Sequence, residues 1–379
     1  MSIRQYNLGS IVKPGFNPLG AQTSVTTYQP YLYTWGSNGT GQLGLGNTVN
    51  RSSPNQVGAL TTWANISGGQ TNSTMAIKND GTLWTWGMNA SGELGLNNTT
   101  YYSSPKQVGA LTDWLKVSGG AYFTLAIKTN GTLWSWGRNA YGQLGLGNTV
   151  GQSSPNQVGA LTTWSSVTGG SYHTTATKTD GTLWAWGRSN NGQLGKGNVT
   201  SYSSPVQVGA LTSWLSVGAG SYHTLAVKTD GTFWSWGNNS RGQLGLGNIT
   251  YYSSPKQVGA LTNWLNIAAN SYQTTSTKTD GTIWAWGSNG QGQLGLGDTV
   301  NRSSPAQIGA LTTWSKIACG RSYNAAIKTD GTLWSWGGNG AGRLGLGNTT
   351  SYSSPKQVGA LTTWLSVACG DYHTIATLY

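Results

Sequence analysis

The sequence predicts an all-β protein, a seven-bladed β-propeller of four-stranded blades with an irregular N-terminal arm. Three observations carry that expectation. The dipeptide Trp-Gly recurs at Trp35, Trp86, Trp136, Trp186, Trp236, Trp286 and Trp336, with a spacing of 51 once and then 50 five times. Each repeat holds short runs rich in β-branched and aromatic residues, and four such runs in about fifty residues is the size of a propeller blade. The ends of the array also complement each other. The chain stops after Asp371–Tyr379, a strand without its hairpin partner, and the first repeat element, Tyr31–Gly36, is the missing strand. Pairing the two closes a ring and leaves no long open sheet edge.

Taken in order, residues 1–30 form the arm and 31–379 the propeller. The arm carries Ile3, Tyr6, Leu8, Ile11, Val12, Phe16 and Leu19, broken by Gly9, Pro14, Gly15, Pro18 and Gly20. Pro and Gly forbid a useful helix, and the segment is too apolar for a free linker. It is expected to lie along another chain of an assembly and to insert Tyr6 or Phe16 into pockets there. In each repeat "KQVGAL" and "NWLNIAA" read as two strands, followed by "SYHTLAVK" and "TFWSWG". "TDG" between the last two is a hairpin turn. Asp80, Asp180, Asp230, Asp280 and Asp330 are then turn residues, with Asn130 in the same place. Lys78, Lys128, Lys178, Lys228, Lys278 and Lys328 just precede that turn and read as solvated strand ends. All 20 tryptophans fall in three registers, as expected for core and blade-to-blade packing.

Gly39-x-Gly41-x-x-Gly44 has dinucleotide-binding spacing, but no helix pattern follows it to receive a phosphate. Other copies replace its first glycine with Ala90, Ala140, Asn190 and Ser240, so the match is accidental. Catalysis needs converging titratable groups, and the sequence offers no carboxylate pair and no nucleophile beside a base. No enzyme activity and no cofactor are expected. His173, His223 and His373 share a register with Ser73, Phe123, Gln273 and Tyr323, unevenly placed around a ring of seven, so no metal is expected. Cys319 and Cys369 occupy a register that takes Gly or Ala elsewhere.

The repeat "GxxHTLAxKTDGTLWSWGxNxxGQLGLGN" resembles that of the regulator of chromosome condensation family, from Tyr31 to Tyr379. The resemblance implies a seven-bladed propeller. It also implies guanine-nucleotide exchange and chromatin binding, as in the founding member, through a wedge-like insertion in one blade and acidic residues. This chain departs from that pattern, with no long insertion and only 9 acids. A bacterial β-lactamase inhibitor shares the propeller, which makes inhibition of an extracellular enzyme a further alternative. The leader "IRQYNLGSIVKPGFNPLGAQT" resembles leaders on tailed-phage proteins of the family. That implies a virion structural protein, and otherwise a cytoplasmic one, since the N-terminus lacks a signal-peptide core.

Only 8% of residues are charged, yet the net charge is +12, which favours a polyanionic partner. A protein or an anionic glycan is preferred to nucleic acid. No apolar run reaches membrane-spanning length, so no membrane partner is expected. In an antiparallel meander "ALTxW" and "TDG" share one face of the ring, and "GSYH" and the long connection after Trp-Gly share the other. The first face is nearly invariant among copies and the second varies. Tyr and Arg, the residue types of interface hot spots, dominate the variation. The expected partner-binding residues are Arg51, Tyr101, Tyr102, Arg138, Tyr141, Arg188, Arg241, Tyr251, Tyr252, Arg302 and Arg321. The sequence thus reads as a non-enzymatic recognition module.

Overall fold

The computed structural model describes residues 30–379. Seven antiparallel sheets of four strands each surround an axis, and no helix occurs among the described residues. Six blades are continuous in sequence. A representative one (blade three) has the inner strand Trp164–Gly169, then His173–Lys178, Leu183–Gly187 and the outer strand Tyr202–Gln207. Counting the same way, blade one spans 63–107, and the inner strands of blades two and four to six begin at Trp114, Trp214, Trp264 and Trp314. Blade seven joins the two ends of the array. Trp364–Cys369 and His373–Leu378 are followed in space by Tyr31–Gly36 and Arg51–Thr61. The closing register runs from Tyr31 opposite Leu378 to Gly36 opposite His373, as expected from the missing strand.

The expected grouping of strands was one strand out of step. The outer strand pairs with the Trp-Gly strand before it, as Gln207 with Trp184 and Tyr202 with Gly187, so it completes the preceding blade. That strand also covers "YSSPKQ" rather than "KQVGAL" in most blades. Gly209, at φ 63°, turns the chain out of the extended conformation toward the next inner strand. Pro205 is tolerated because this strand is the outer edge, where one N–H is not needed.

The core lies between blades. Leu183, Ala185, Leu194, Val208, Trp214, Val217, Ala226 and Trp236 form one such cluster, shared by blades three and four. The second strand of every blade is wholly buried, because both its faces meet neighbouring sheets. Trp236 is fully buried and donates its indole N–H to the Gln193 carbonyl of the preceding blade at 3.0 Å. Gly195 (φ 73°) lies beneath that indole, and a Cβ there would sit 2.7 Å from Nε1. The glycines that mimic a nucleotide loop therefore admit a tryptophan from the next blade. Trp214 meets Trp234 and Trp236 edge to face at 6.1 and 6.2 Å.

The lysines before the turn are not solvated strand ends. Lys178 is 8% exposed, and its Nζ lies 3.6 Å from the Trp184 ring centroid and 5.0 Å from that of Trp164. The hairpin brings the lysine over two indole faces, where cation–π attraction offsets part of its lost hydration.

Candidate functional site: the tyrosine–arginine face

The two faces of the ring have different chemistry. On the turn face the "TDG" turn of one blade touches the "ALTxW" turn that leads into the next. Trp214 N–H donates to the Gly181 carbonyl at 3.1 Å. Asp180 Oδ1 accepts from Thr182 N–H and Oγ1–H at 2.9 and 2.6 Å, and Thr182 Oγ1 accepts from the Trp184 indole at 2.9 Å. These bonds hold the Asp180 carboxyl below its usual range, the Thr182 hydroxyl contributing most. Lys78, Lys128, Lys178, Lys228, Lys278 and Lys328 stand before these turns, in blades that also carry Asp80, Asp113, Asp180, Asp230, Asp280 and Asp330 there. Asp113 bridges to Lys128 at 3.4 Å. Both ends of the propeller lie here: Thr62 N–H donates to the Pro30 carbonyl at 3.1 Å, and Tyr379 N–H to the Thr363 carbonyl at 3.2 Å.

The opposite face is the mouth of the axis. The turns between the first and second strands converge on it and bring Tyr122, Tyr172, Tyr222, Tyr272 and Tyr372 around a central cavity, with Asn72 and Ser322 in the two remaining blades. Tyr172 and Tyr222 lie 5.8 Å apart and Tyr222 and Tyr272 6.1 Å apart, tilted by 37° and 31°. Outside them Arg138 stands 5.8 Å from the rings of Tyr122 and Tyr172 and 5.9 Å from Tyr141. Arg188 stands 4.9 Å from Tyr141 and 5.4 Å from Tyr172. Arg321 and Arg343 flank Tyr372 at 5.6 and 5.3 Å. Arg241 is exposed on the same face. These five arginines meet one acid at the mouth, the buried Asp371, while Glu93 is wholly buried in its loop, where it accepts from Ser91 N–H.

The structure divides the residues that sequence variation singled out. Arg138, Tyr141, Arg188 and Arg321 belong to the mouth, with Arg241 near them. Arg51, Tyr101, Tyr102, Tyr251, Tyr252 and Arg302 stand at or just before the outer strands. There Lys106 and Lys256 stack on Tyr102 and Tyr252, both at 5.4 Å, and Arg302 pairs with Asp298 at 2.5 Å. Tyr6 and Phe16 lie outside the described residues.

Several mouth residues were missed. The tyrosines were visible as a register before "HT", but seven turns converge only once the ring closes. Arg343 stands where the other copies have Gln or Glu. Gln143 folds back to accept from Tyr141 N–H at 2.9 Å. A guanidinium cannot accept, and Arg343 instead reaches the Arg321 carbonyl at 3.2 Å. The spacing of 51 marks one more: ten positions separate Trp63 from Ser73, and nine separate Trp114 from Phe123. The additional residue falls in the mouth turn that holds Gln70. That side chain donates to the Gly169 and Ala219 carbonyls at 3.3 and 3.2 Å, joining blades one, three and four across the axis.

The histidines sit beneath the mouth, fully buried, as staples between blades. His173, His223 and His373 contact Thr224, Thr274 and Thr74 of the following blades at 2.9, 3.2 and 2.8 Å. Burial depresses each to about 3, so they are neutral imidazoles. A Cβ on Gly220 would lie 2.2 Å from the His223 ring, and blade five has Asn270 at that place only with the ringless Gln273.

A family model described as RCC1-like domain matches residues 31–376. A segment of 88 residues is 38% identical to the X-linked retinitis pigmentosa GTPase regulator of Canis lupus familiaris, covering 23% of this chain and 9% of that protein. A match of 88 residues is 39% identical to the Ultraviolet-B receptor UVR8 of Arabidopsis thaliana, covering 23% of this chain and 20% of that protein. The matches therefore span a small part of these relatives. Human WBSCR16 superposes with a TM-score of 0.81 at 23% identity, over 92% of this chain and 98% of that one. Prp20p of Saccharomyces cerevisiae, whose structure was described with its binding to Gsp1p and histones, gives 0.81 at 20% identity, over 93% and 92%. At such identities these likenesses establish the shared fold.

Proposed function

The chain belongs to the RCC1-like domain family, and on that premise we propose that it is a non-enzymatic recognition module that holds an acidic protein surface against its tyrosine–arginine face. The observation that carries this reading is the segregation of charge. The six lysines before the hairpin turns are buried over tryptophans on the turn face, whereas five arginines share the mouth face with the single buried Asp371. Arginine on a tyrosine platform presents planar donors to a carboxylate and keeps a broad contact area at low entropic cost. A protein partner accords with Prp20, which shares the fold, whose binding to Gsp1p and histones was described and which was crystallised bound to Kap60. Changing Arg138 and Arg188 to Ala should weaken such a partner by ~30-fold or more, as loss of hot-spot residues does, without lowering the Tm. Unchanged affinity would reject the reading.

The position of the chain entry supports a displayed head. Pro30 lies on the turn face, so the described chain is entered on the side away from the mouth. Attachment through the arm, in a virion or another assembly, is our proposal for that segment. Deleting residues 2–28 should leave a folded ring that no longer joins its assembly. Unfolding of the truncated chain would make the arm part of the ring instead. The only departure from the fifty-residue unit is the one residue in the Gln70 turn, and among the described residues no acidic patch faces the mouth. The full chain should accordingly leave guanine-nucleotide release from a small GTPase at its spontaneous rate, which a fluorescent-nucleotide release assay checks.

A further inference from the structure

The cavity at the axis has a chemistry that the arginine rim does not explain. It encloses about 340 Å³, within the range of small-ligand sites. Gln70 bridges the axis below it, and Ser171 Oγ donates to Gln70 Oε1 at 2.9 Å. The wall repeats a Ser-Tyr pair in three successive blades, from Ser171 and Tyr172 to Ser271 and Tyr272. On the far side stand Arg321 and Asp371, each the sole residue of its kind in its register. Asp371 is 9% exposed, and its Oδ1 is buried without a hydrogen-bond partner.

We propose that this cavity binds the acidic end of a saccharide, a uronic-acid ring, with Arg321 on the carboxylate, the tyrosine faces against the ring, and Asp371 and the serines on its hydroxyls. The inference rests on the mouth being the binding face, and it adds a ligand class that Arg138 and Arg188 do not recognise. A sugar fits better than an acidic peptide side chain because the lining hydroxyls both donate and accept. A lone carboxylate calls for donors only and leaves the accepting oxygens of the lining hydroxyls unused.

Burial pushes the Asp371 carboxyl up to about 7, against Arg321, a bond from Asn270, and Arg343, which act in the other direction. Tyr372 adjoins it, and His373 below is neutral. Below pH 7 the carboxyl can donate to a sugar hydroxyl; above it the carboxylate opposes that of the ligand.

The test is a ligand-observed NMR titration of the full chain with glucuronate, glucose and N-acetylglutamate amide at pH 6 and pH 8. Glucuronate should bind at least about tenfold more tightly than glucose at pH 6, the size of one charge-assisted bond, and more weakly at pH 8. Arg321→Ala should lose about tenfold with an unchanged Tm. Asp371→Asn should still bind and lose the pH dependence. Equal binding of glucose, equal binding of the glutamate derivative, or no binding of glucuronate would overturn the assignment. If partner binding still responds to Arg138 and Arg188 while glucuronate fails, the cavity assignment alone falls. The converse result sinks only the rim reading.

Discussion

The turn face and the mouth face are built from the same seven repeats, yet they use cations in opposite ways. On the turn face each lysine is folded over two tryptophans beside a carboxylate, so its charge is spent inside the blade. On the mouth face Arg138, Arg188, Arg321 and Arg343 lie on tyrosines, and the one nearby acid is buried. Sequence variation follows the same division. Positions that serve every blade stay alike, and positions at the mouth become singular, as with Arg321, Arg343, Asp371 and Gln70. A repeat protein can therefore carry an asymmetric surface on a symmetric frame, because closure of the ring gathers seven loops that packing leaves free.

The largest effect that separates the faces is expected from acid. The unfolded chain takes up a proton on each of three histidines below pH 6.5, while their buried forms resist until about 3. A depressed folded value means that stability is present above 6.5 and is lost as pH falls toward 3. Each histidine contributes about 1.4 kcal/mol per pH unit in that window. Asp371, raised to about 7, acts in the opposite direction and offsets about one of the three, and Glu93, raised by burial, acts in the same direction as Asp371. Urea midpoints at pH 7.5 and 5.5 should show a net loss of at most about 3 kcal/mol per pH unit below 6.5. A flat profile would mean that the staples under the mouth are open to water.

Less of the mouth than of the frame was legible in the sequence. The period, the hairpin turn and the closing strand pair followed from residue type and spacing, which depend on neighbours close along the chain. Which sheet receives "YSSPKQ" did not follow, because Gly209 redirects the strand only in three dimensions. The lysines misled for a related reason: Lys178 is polar at a strand end, and its burial depends on two indoles contributed by Trp164 and Trp184. The tyrosine collar was written in the sequence as a register whose purpose required the ring.

A smaller effect tests whether the turn face is structural. Gly181 holds φ 76°, and a Cβ there would stand 2.1 Å from the Thr212 carbonyl oxygen. Gly181→Ala should cost roughly 1–3 kcal/mol in stability and leave partner affinity alone, as paired urea and binding titrations would show. Smaller still, Lys178→Met keeps much of the packing stem and should lose only about 0.5–1 kcal/mol with the cation–π contact. A large loss of binding in either variant would move the partner to the wrong face.

The central claim is that recognition belongs to the mouth face and not to net charge. Its most direct measurement compares two triple variants of the full chain, equal in charge removed, against one partner at one salt concentration. Arg138, Arg188 and Arg241 are changed to Ala in the first, and Lys128, Lys178 and Lys228 in the second. The account predicts at least about a hundredfold loss for the arginine variant, two hot-spot residues or more, and at most a severalfold loss for the lysine variant. Equal losses, vanishing together as salt is raised, would show diffuse attraction to a basic protein and contradict it.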